Sequence, residues 1–498
     1  MAMYPSKAAC GHPGADWPKA LRGSTHAAGV CLVASWITAA ISPHTPLAAQ
    51  TLQQALTQTY RTSPQLDAAR ATLRATDEDV ARANSGYRPA LNANASSTWT
   101  RTDIQPTSAQ SGGFNPRQYG VTLSQPLFRG FQTLNQVRVA EASVRAGRET
   151  LRNTEQSVLL LAATAYMDVV RDQAILKLRE SNVTVLANQL RSVQFQFEVG
   201  EVSRTDVAQA EAGRAGAIAD LEVARGNLRN SQAIYERIVG SPPGQLIDVK
   251  EPMRLMPKSM KEAEDIAQRE NPLIVNALYL EQAARYTVDQ IRGELLPQVT
   301  LNAAYTRSLD PSRTVDEQET GTITTNMTMP IYSNGSIEAR VRQAKHTHIS
   351  RLQTINQVRA DQLALVVGAW ARYSSAKAQG VSTAVQVRAN QTALTGVREE
   401  YRVGQRTLLD VLNAEQALLN SRVLEVTARR DAVVQSFTVL QTIGRLSAAE
   451  MGLGNEIYDA EVNYLEVRRK WFGLSITHAD GRRESVDANT VPVGRGDR

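Results

Sequence analysis

The sequence predicts a mixed α/β membrane protein made of two internal repeats, each combining a pair of short β-strands with very long helices. Three observations carry this prediction. Landmark residues recur in the same order about 204 residues apart, as Gly200 and Gly404 do. Four segments alternate apolar and uncharged polar side chains with the period of a β-strand. Two runs, 131–199 and 336–403, contain no proline and are predicted to be continuous helices.

The composition limits the possible classes of function. The chain has 498 residues, of which only 5% are aromatic, and this disfavours one large globular core because aromatic side chains dominate core energetics. Both cysteines, Cys10 and Cys31, precede residue 50, so we expect no disulfide or cysteine-bound metal after it. The net charge is +6, and +4 without the first 49 residues. This charge is too small and too dispersed to indicate nucleic-acid binding.

Residues 1–49 are predicted to be a signal peptide. An uncharged apolar run at 27–41 follows Lys19 and Arg22, and small residues close it near Ala49. The run is too short for a transmembrane helix, and no later segment approaches the length of one. We therefore expect an exported chain that spans a membrane only through a β-barrel.

Each repeat follows the same order of elements. Pro64 and Pro272 divide the lead-in helices, because proline favours a helix start and disfavours helix in the residue before it. These helices are followed by a strand pair, a long helix, a Val-Gly interruption and a second helix. The predicted boundaries are a signal peptide at 1–49; repeat 1 at 50–240, with lead helices 51–85, strands 90–104 and 118–128, and helices 131–199 and 204–240; a linker at 241–259; repeat 2 at 260–444, with lead helices 260–294, strands 298–307 and 320–332, and helices 336–403 and 406–443; a C-terminal segment at 445–474; and a disordered tail at 475–498.

The four strand segments have one apolar and one polar face. The polar face carries uncharged Thr, Asn and Ser, as expected of a water-filled lumen, and segments of about 10 residues can span a membrane when tilted. A half-buried soluble sheet is the alternative. Two rows of aromatic residues near the strand ends are predicted to lie at the membrane interfaces: Tyr87, Phe128 and Tyr332 on the helix side, and Trp99, Tyr119 and Tyr305 on the loop side.

The strands and helices together predict an assembly. Four strands cannot close a barrel in lipid, so other copies of the chain must complete it. The long helical runs would extend about 100 Å at 1.5 Å per residue, and apolar residues spaced three, four and seven apart, such as Leu134, Val137 and Val144, indicate a packing seam. A rod-like coiled coil would explain these helices but not the strands.

Catalytic motifs are absent from the sequence. We find no zinc-protease, nucleophile-elbow, phosphate-binding or dinucleotide-binding pattern. His346 and His348 are two residues apart on a predicted helix and point in different directions, so they make a poor metal pair. We expect no enzyme activity, no cofactor and no metal site.

The repeated unit resembles the outer-membrane efflux family, the TolC-like channel-tunnels, over residues 50–474. Residues 401–412 are similar to the family's Tyr-x-Val-Gly-x-Arg-Thr-x-x-Asp-Val-Leu turn at the periplasmic helix tip, and residues 197–207 resemble the tip of the first repeat. The resemblance implies a homotrimer in the outer membrane of a Gram-negative bacterium. Four strands from each chain would form a 12-stranded β-barrel, continued across the periplasm by an α-helical barrel.

The resemblance also implies a gate at the periplasmic tips. Asp410 matches the aspartate whose ring faces the pore, and Asp206, Tyr401 and Arg406 are candidates for the contacts that hold neighbouring tip helices together. Asn413 stands where the family often has a second aspartate, which implies a single acidic ring and weaker cation binding. From the residues alone, Arg406 and Asp410 could instead be a plain i,i+4 pair on one helix.

The resemblance implies that the assembly is a passive, gated export duct from the periplasm to the cell exterior, and that it works with partners. By the resemblance, a periplasmic adaptor (membrane fusion protein) would dock on the tips, and an inner-membrane transporter, preferably of the ABC type, would supply energy. The ending at 464–474 is similar to that of members serving type I protein secretion, and Val30 before Cys31 makes a poor lipid-attachment site. Both favour type I secretion over small-molecule (multidrug) efflux. A non-conducting periplasmic scaffold and a secreted enzyme are more remote alternatives. The helix-tip residues on which the adaptor would dock are Val199, Gly200, Val403 and Gly404.

Overall fold

The computed structural model describes residues 50–106, 109, 111–249, 251–454, 457–477 and 483–484. The predicted signal peptide lies outside these residues. So does most of the predicted tail, of which Ile476–Thr477 and Arg483–Glu484 form a two-residue antiparallel pair.

Both repeats show the same order of elements. Each begins with two helices, continues through antiparallel strands into a helix of 67 residues, and ends with a helix about half as long. The first repeat contains α1 (Leu52–Thr62), α2 (Pro64–Asn84), β1 (Ala90–Ser97), β2 (Thr100–Thr102), β3 (Gly112–Phe114), β4 (Arg117–Arg129), α3 (Gln132–Glu198) and α4 (Arg204–Val239). The second contains α5 (Met260–Glu270), α6 (Pro272–Arg292), β5 (Gln298–Ser312), β6 (Val315–Thr328), α7 (Ser336–Arg402) and α8 (Leu408–Thr442), and α9 (Ala460–Arg469) follows.

The break in each lead-in helix pair is a shared cap. Ser63 ends α1 and caps α2, accepting a hydrogen bond from the backbone of Leu66, and Pro64 occupies the first turn. Asn271 and Pro272 repeat this arrangement between α5 and α6. A proline in the first helical turn loses no hydrogen bond, because the amide it lacks would have had no partner within the helix.

Each long helix packs against several different elements. At 1.5 Å per residue α3 extends about 100 Å, whereas α4 extends only about 54 Å. The part of α3 nearer the sheet packs instead against α2 and α6, and α6 also contacts α7. Among the described residues, no helix is both long and apolar enough to cross a membrane.

The main hydrophobic core lies midway along the long helices. Tyr166 of α3 and Phe437 and Leu440 of α8 are fully buried there, with Leu56 of α1 and Ala263 of α5. The core therefore forms where the ends of α4 and α8 and the short helices α1 and α5 meet the middle of α3 and α7. Burial at this level ties the two repeats together.

The strands form one four-stranded antiparallel sheet in the order β1-β4-β5-β6, which leaves β1 and β6 as edges. β2 and β3 form a separate two-stranded ribbon. The expected single strand at 90–104 is thus interrupted after Ser97. Its partner strand is preceded by Pro116, which has no amide hydrogen with which to continue the ladder.

The second hairpin is longer than the sequence predicts. The segment 308–320 was expected to be mostly loop, but β5 continues to Ser312 and β6 starts at Val315. Cross-strand pairing reaches Ser312 and Val315. Arg307 lies opposite Glu319, and its Nε is 3.7 Å from Oε1 of that glutamate, which is within ion-pair distance. Opposite charges on facing residues favour strand pairing. The polar residues that the sequence predicts to be a loop therefore continue the hairpin.

Candidate functional site

Two equivalent turns end the long helices, one in each repeat. Gly200 follows α3 with φ +83°, and Gly404 follows α7 with φ +76°. The amide of Glu201 donates to the carbonyl oxygen of Gln196 at 2.9 Å, and Gln405 makes the same contact in the second repeat. This 6→1 hydrogen bond is the Schellman motif, which satisfies carbonyls at a helix end and needs a left-handed residue. The two Val-Gly sequences are therefore helix stops.

The predicted docking residues lie at the surface of these turns. Val199 is 56% exposed and Val403 is 70% exposed. A Cβ atom at Gly200 or Gly404 would meet no heavy atom within 4 Å. Each turn thus presents an exposed apolar side chain beside an open backbone.

Each turn leads into a helix through a capping box. The carboxylate of Asp206 accepts hydrogen bonds from the Ser203 hydroxyl at 2.7 Å and the Ser203 amide at 2.9 Å. Asp410 accepts the same pair of bonds from Thr407, at 2.8 Å and 3.0 Å. These hydrogen bonds lower the pKa of both carboxyl groups, because each bond favours the ionised form. The two aspartates are therefore fixed, fully ionised groups at neutral pH.

Arg406 does not pair within a helix. Its Nε donates to the Glu400 carboxylate at 2.7 Å, across the Gly404 turn. Helix α8 begins only at Leu408, so the i,i+4 interpretation of Arg406 and Asp410 is wrong. Hydrogen bonding and charge from Glu400, followed by the charge of Asp410, raise the pKa of Arg406. The arginine thus lies between two carboxylates, one on each side of the turn.

Tyr401 belongs to a contact between the two repeats. Its hydroxyl donates to the side-chain oxygen of Gln196 at 3.3 Å. Burial, and then the negative charges of Asp206 and Glu201, raise its pKa, which places it near the first turn. A small apolar cluster joins helices from both repeats at this level: Leu190, Val193, Ala210 and Leu408, with Val202, Val207, Tyr401 and Leu412 packed against them.

The structure thus brings most of the predicted gate residues into one region. Tyr401 faces the first-repeat turn, and Arg406 lies near Asp410. Asn413 is exposed on α8 and lies outside this set of contacts. Sequence reasoning missed Ser203, Thr407, Glu400 and Gln196. The Ser/Thr-x-x-Asp pattern of a capping box could have identified Ser203 and Thr407.

The strand register separates the two faces of the sheet. Val121 lies opposite Ala93 and Tyr305, whereas its neighbour Thr122 lies opposite Asn92. One face is therefore mostly apolar and the other is rich in Thr, Asn and Ser. The apolar face is uncovered in the single chain, since Ile323 is 81% exposed and Leu91 and Met327 are each 70% exposed. The predicted interfacial aromatics are also exposed: Tyr87, Trp99, Tyr119, Phe128, Tyr305 and Tyr332.

Known proteins share both the sequence and the fold. Residues 52–241 and 265–445, which correspond to the two repeats, match the outer membrane efflux protein family. The chain is 38% identical over 435 residues to the outer membrane efflux protein BepC of Brucella suis, covering 87% of this chain and 93% of that protein. It is 27% identical over 343 residues to the alkaline protease secretion protein AprF of Pseudomonas aeruginosa, covering 66% and 70%. The fold is similar to the CmeC outer membrane channel of Campylobacter jejuni, with a TM-score of 0.69 at 17% identity, covering 84% and 89% of the two chains.

Proposed function

The chain belongs to the outer membrane efflux protein family, and on this premise we propose that it is a passive, gated export duct in the outer membrane. The observation that carries the proposal is the two-faced sheet. Its exposed apolar face is costly in water and suits lipid. Its opposite face of uncharged polar side chains suits a water-filled lumen.

The open edges of the sheet support assembly into a trimer. β1 and β6 have unpaired backbone groups along one side, and such edges are not tolerated in the hydrocarbon region. Two chains would give about eight strands, a barrel whose interior side chains fill. Three chains, with 12 strands, are the smallest set that leaves room for a path. The family resemblance points to the same number.

The tips supply the gate in this proposal. Three copies of the α3–α4 and α7–α8 hairpins would converge at their turns in the closed state. Asp410 would then form one acidic ring around the pore, because Asn413 one turn later carries no charge. Asp206, Tyr401 and Arg406 would form the contacts that hold neighbouring tips in place.

The duct needs partners to work. We assign Val199, Gly200, Val403 and Gly404 to docking of a periplasmic adaptor, since an exposed apolar side chain and open backbone can be covered without rearrangement. An inner-membrane transporter would then provide the energy, with the ABC type favoured. The chain itself contributes a path and a gate, and no chemical step.

Type I protein secretion is the preferred cargo route. The relative AprF is named for alkaline protease secretion, and PrtF of Dickeya chrysanthemi for secretion of proteases. The ending at 464–474 is also similar to that of secretion members. Small-molecule efflux is the second candidate, because BepC is an efflux protein by name and is 38% identical.

Two experiments test these proposals. The purified protein should migrate as a heat-modifiable trimer and give single-channel conductance in planar bilayers, and absence of conductance would reject the duct. Deletion of the gene should then abolish export of a secreted protein while leaving sensitivity to toxic compounds nearly unchanged. The reverse pattern would assign the chain to small-molecule efflux.

A further inference from the structure

The segment after α9 exposes a run of large apolar side chains. Trp471, Phe472 and Leu474 are 66%, 91% and 95% exposed. We call residues 470–476 the C-terminal hook. Side chains of this size are seldom left in water together without a partner, and the described part of this chain does not cover them.

The hook is held against a rigid support. Val467 of α9 is buried, and Tyr464 packs against the apolar cluster that joins α2 and α3. The side-chain amide of Asn463 donates to the Asp77 carboxylate of α2 at 2.7 Å. The start of the hook is therefore held in place by the packing of α9 against α2 and α3.

The hook lies at the base of the sheet. Arg88 donates from Nη1 to the carbonyl oxygen of Lys470 at 2.8 Å, and its guanidinium carbon lies 4.7 Å from the centroid of the Trp471 ring. Arg88 directly follows Tyr87 of the helix-side aromatic row and precedes β1 by two residues. Trp471 is therefore near the level of that row.

A positively charged cleft adjoins the hook. The cleft has a volume of about 390 Å³, and Arg88, Arg468 and Arg469 line it together with Tyr87 and Trp471. Arg468 pairs with Glu141 at 3.1 Å but remains 48% exposed. Arg469 is also exposed. Apolar side chains thus stand directly beside guanidinium groups.

We propose that the C-terminal hook is an interfacial membrane anchor on the periplasmic leaflet of the outer membrane, and that the cleft arginines bind the phosphates of its lipids. This rests on the proposed function, which places the aromatic row at that interface. Trp and Phe are favoured at the boundary between headgroups and acyl chains, and basic side chains beside them attract lipid phosphate. A neighbouring subunit that covered the hook would have to supply carboxylates for these arginines, because burying an unpaired charge is costly.

Fluorescence quenching of individual tryptophans tests the anchor. The full-length protein is inserted into vesicles of phosphatidylethanolamine and phosphatidylglycerol in which the phosphatidylethanolamine acyl chains carry bromine near the headgroup. The parent is compared with Trp471→Phe, Trp99→Phe and Trp370→Phe, and each difference gives the quenching of one tryptophan. Trp99 reports on the loop-side aromatic row and should be quenched. Trp370 is packed against the helical core and should remain unquenched.

We expect quenching of Trp471 to approach that of Trp99. In the Arg469→Gln variant, quenching of Trp471 in vesicles that contain phosphatidylglycerol should be weaker. If Trp99 is quenched but Trp471 is not, the anchor is rejected while the membrane duct stands. Blue-shifted unquenched emission would then assign the hook to a neighbouring subunit, and red-shifted emission to water. If neither tryptophan is quenched, the proposed membrane insertion itself fails.

Discussion

Asp206 combines two roles at the first tip, because its carboxylate both carries the charge proposed for the gate and caps α4. Asp206→Ala removes both, whereas Ser203→Ala weakens the cap and leaves the charge. We expect Asp206→Ala and Arg406→Ala to raise closed-state conductance and sensitivity to bulky antibiotics. Ser203→Ala should have little effect on either measurement.

Arg402 gives a matched control for Arg406, since it is an exposed arginine that pairs with Glu399 on the helix surface. Arg402→Ala should leave the closed-state conductance of the channel in planar bilayers unchanged. Equal effects of the Asp206 and Ser203 variants would show that the cap matters and the gate assignment does not.

The ring assignment of Asp410 has its own prediction. Asp410→Asn keeps a side-chain oxygen that can accept the Thr407 hydrogen bonds, but removes the charge. We expect it to reduce block of the channel by multivalent cations added from the tip side. Asp206→Asn, which alters the equivalent cap in the first repeat, should leave this block nearly intact. Undiminished block in the Asp410 variant would place the carboxylate away from the pore.

The lowered pKa values of the two aspartates predict a pH dependence. In the unfolded chain an aspartate has its usual pKa near 3.8, and in the folded tips the value is lower. The unfolded state therefore binds more protons between these two values, so the cap stabilises the tip above the usual pKa and this contribution is lost as pH falls through the folded pKa. Amide hydrogen exchange at the start of α4 and α8 should accelerate below about pH 3.8 beyond its intrinsic change. Constant protection of these amides down to pH 2 would contradict the predicted loss of the cap.

At the scale of elements, the Schellman turns define the tips. Gly404→Ala places a Cβ atom at φ +76°, which should destabilise the turn by about 1–2 kcal/mol although the surrounding space is open. Gly396→Ala, inside α7 and less than two turns from its end, also meets open space but should stabilise the helix by up to about 1 kcal/mol. Hydrogen exchange at the amide of Gln405 should report the loss in the first variant only. Opposite or equal effects would contradict the assignment of the turn.

The helices and the order of elements could be predicted from the sequence, because proline, glycine and apolar spacing act locally. The sheet was predicted less completely. The first strand ends after Ser97 because Pro116, which precedes the partner strand, has no amide hydrogen to continue the pairing. The second hairpin is extended by the pairing of Arg307 with Glu319. Both effects depend on which residues lie opposite each other, and a single strand does not reveal its register.

At the scale of the whole molecule, the duplication predicted the mixed α/β fold, and the resemblance of the repeated unit and of residues 401–412 predicted the family; both are confirmed. The contacts within the site were less accessible. Glu400 pairs with Arg406 only because the turn reverses the chain between them, and Tyr401 meets Gln196 about 205 residues away. The support of the hook by α2 is a contact of the same long-range kind. Such contacts arise from packing between repeats, which local spacing does not encode.

The central claim is that the polar face of the sheet lines water and the apolar face meets lipid. Thr324 and Ile323 are adjacent on β6 and lie on opposite faces, paired with Asn302 and Ala303. Each is replaced by cysteine in the reconstituted trimer, and a water-soluble methanethiosulfonate is added while conductance is recorded, with the parent as control. The account predicts that conductance falls for Thr324→Cys and stays constant for Ile323→Cys. Block of the Ile323 variant alone, or no channel in either, would contradict it.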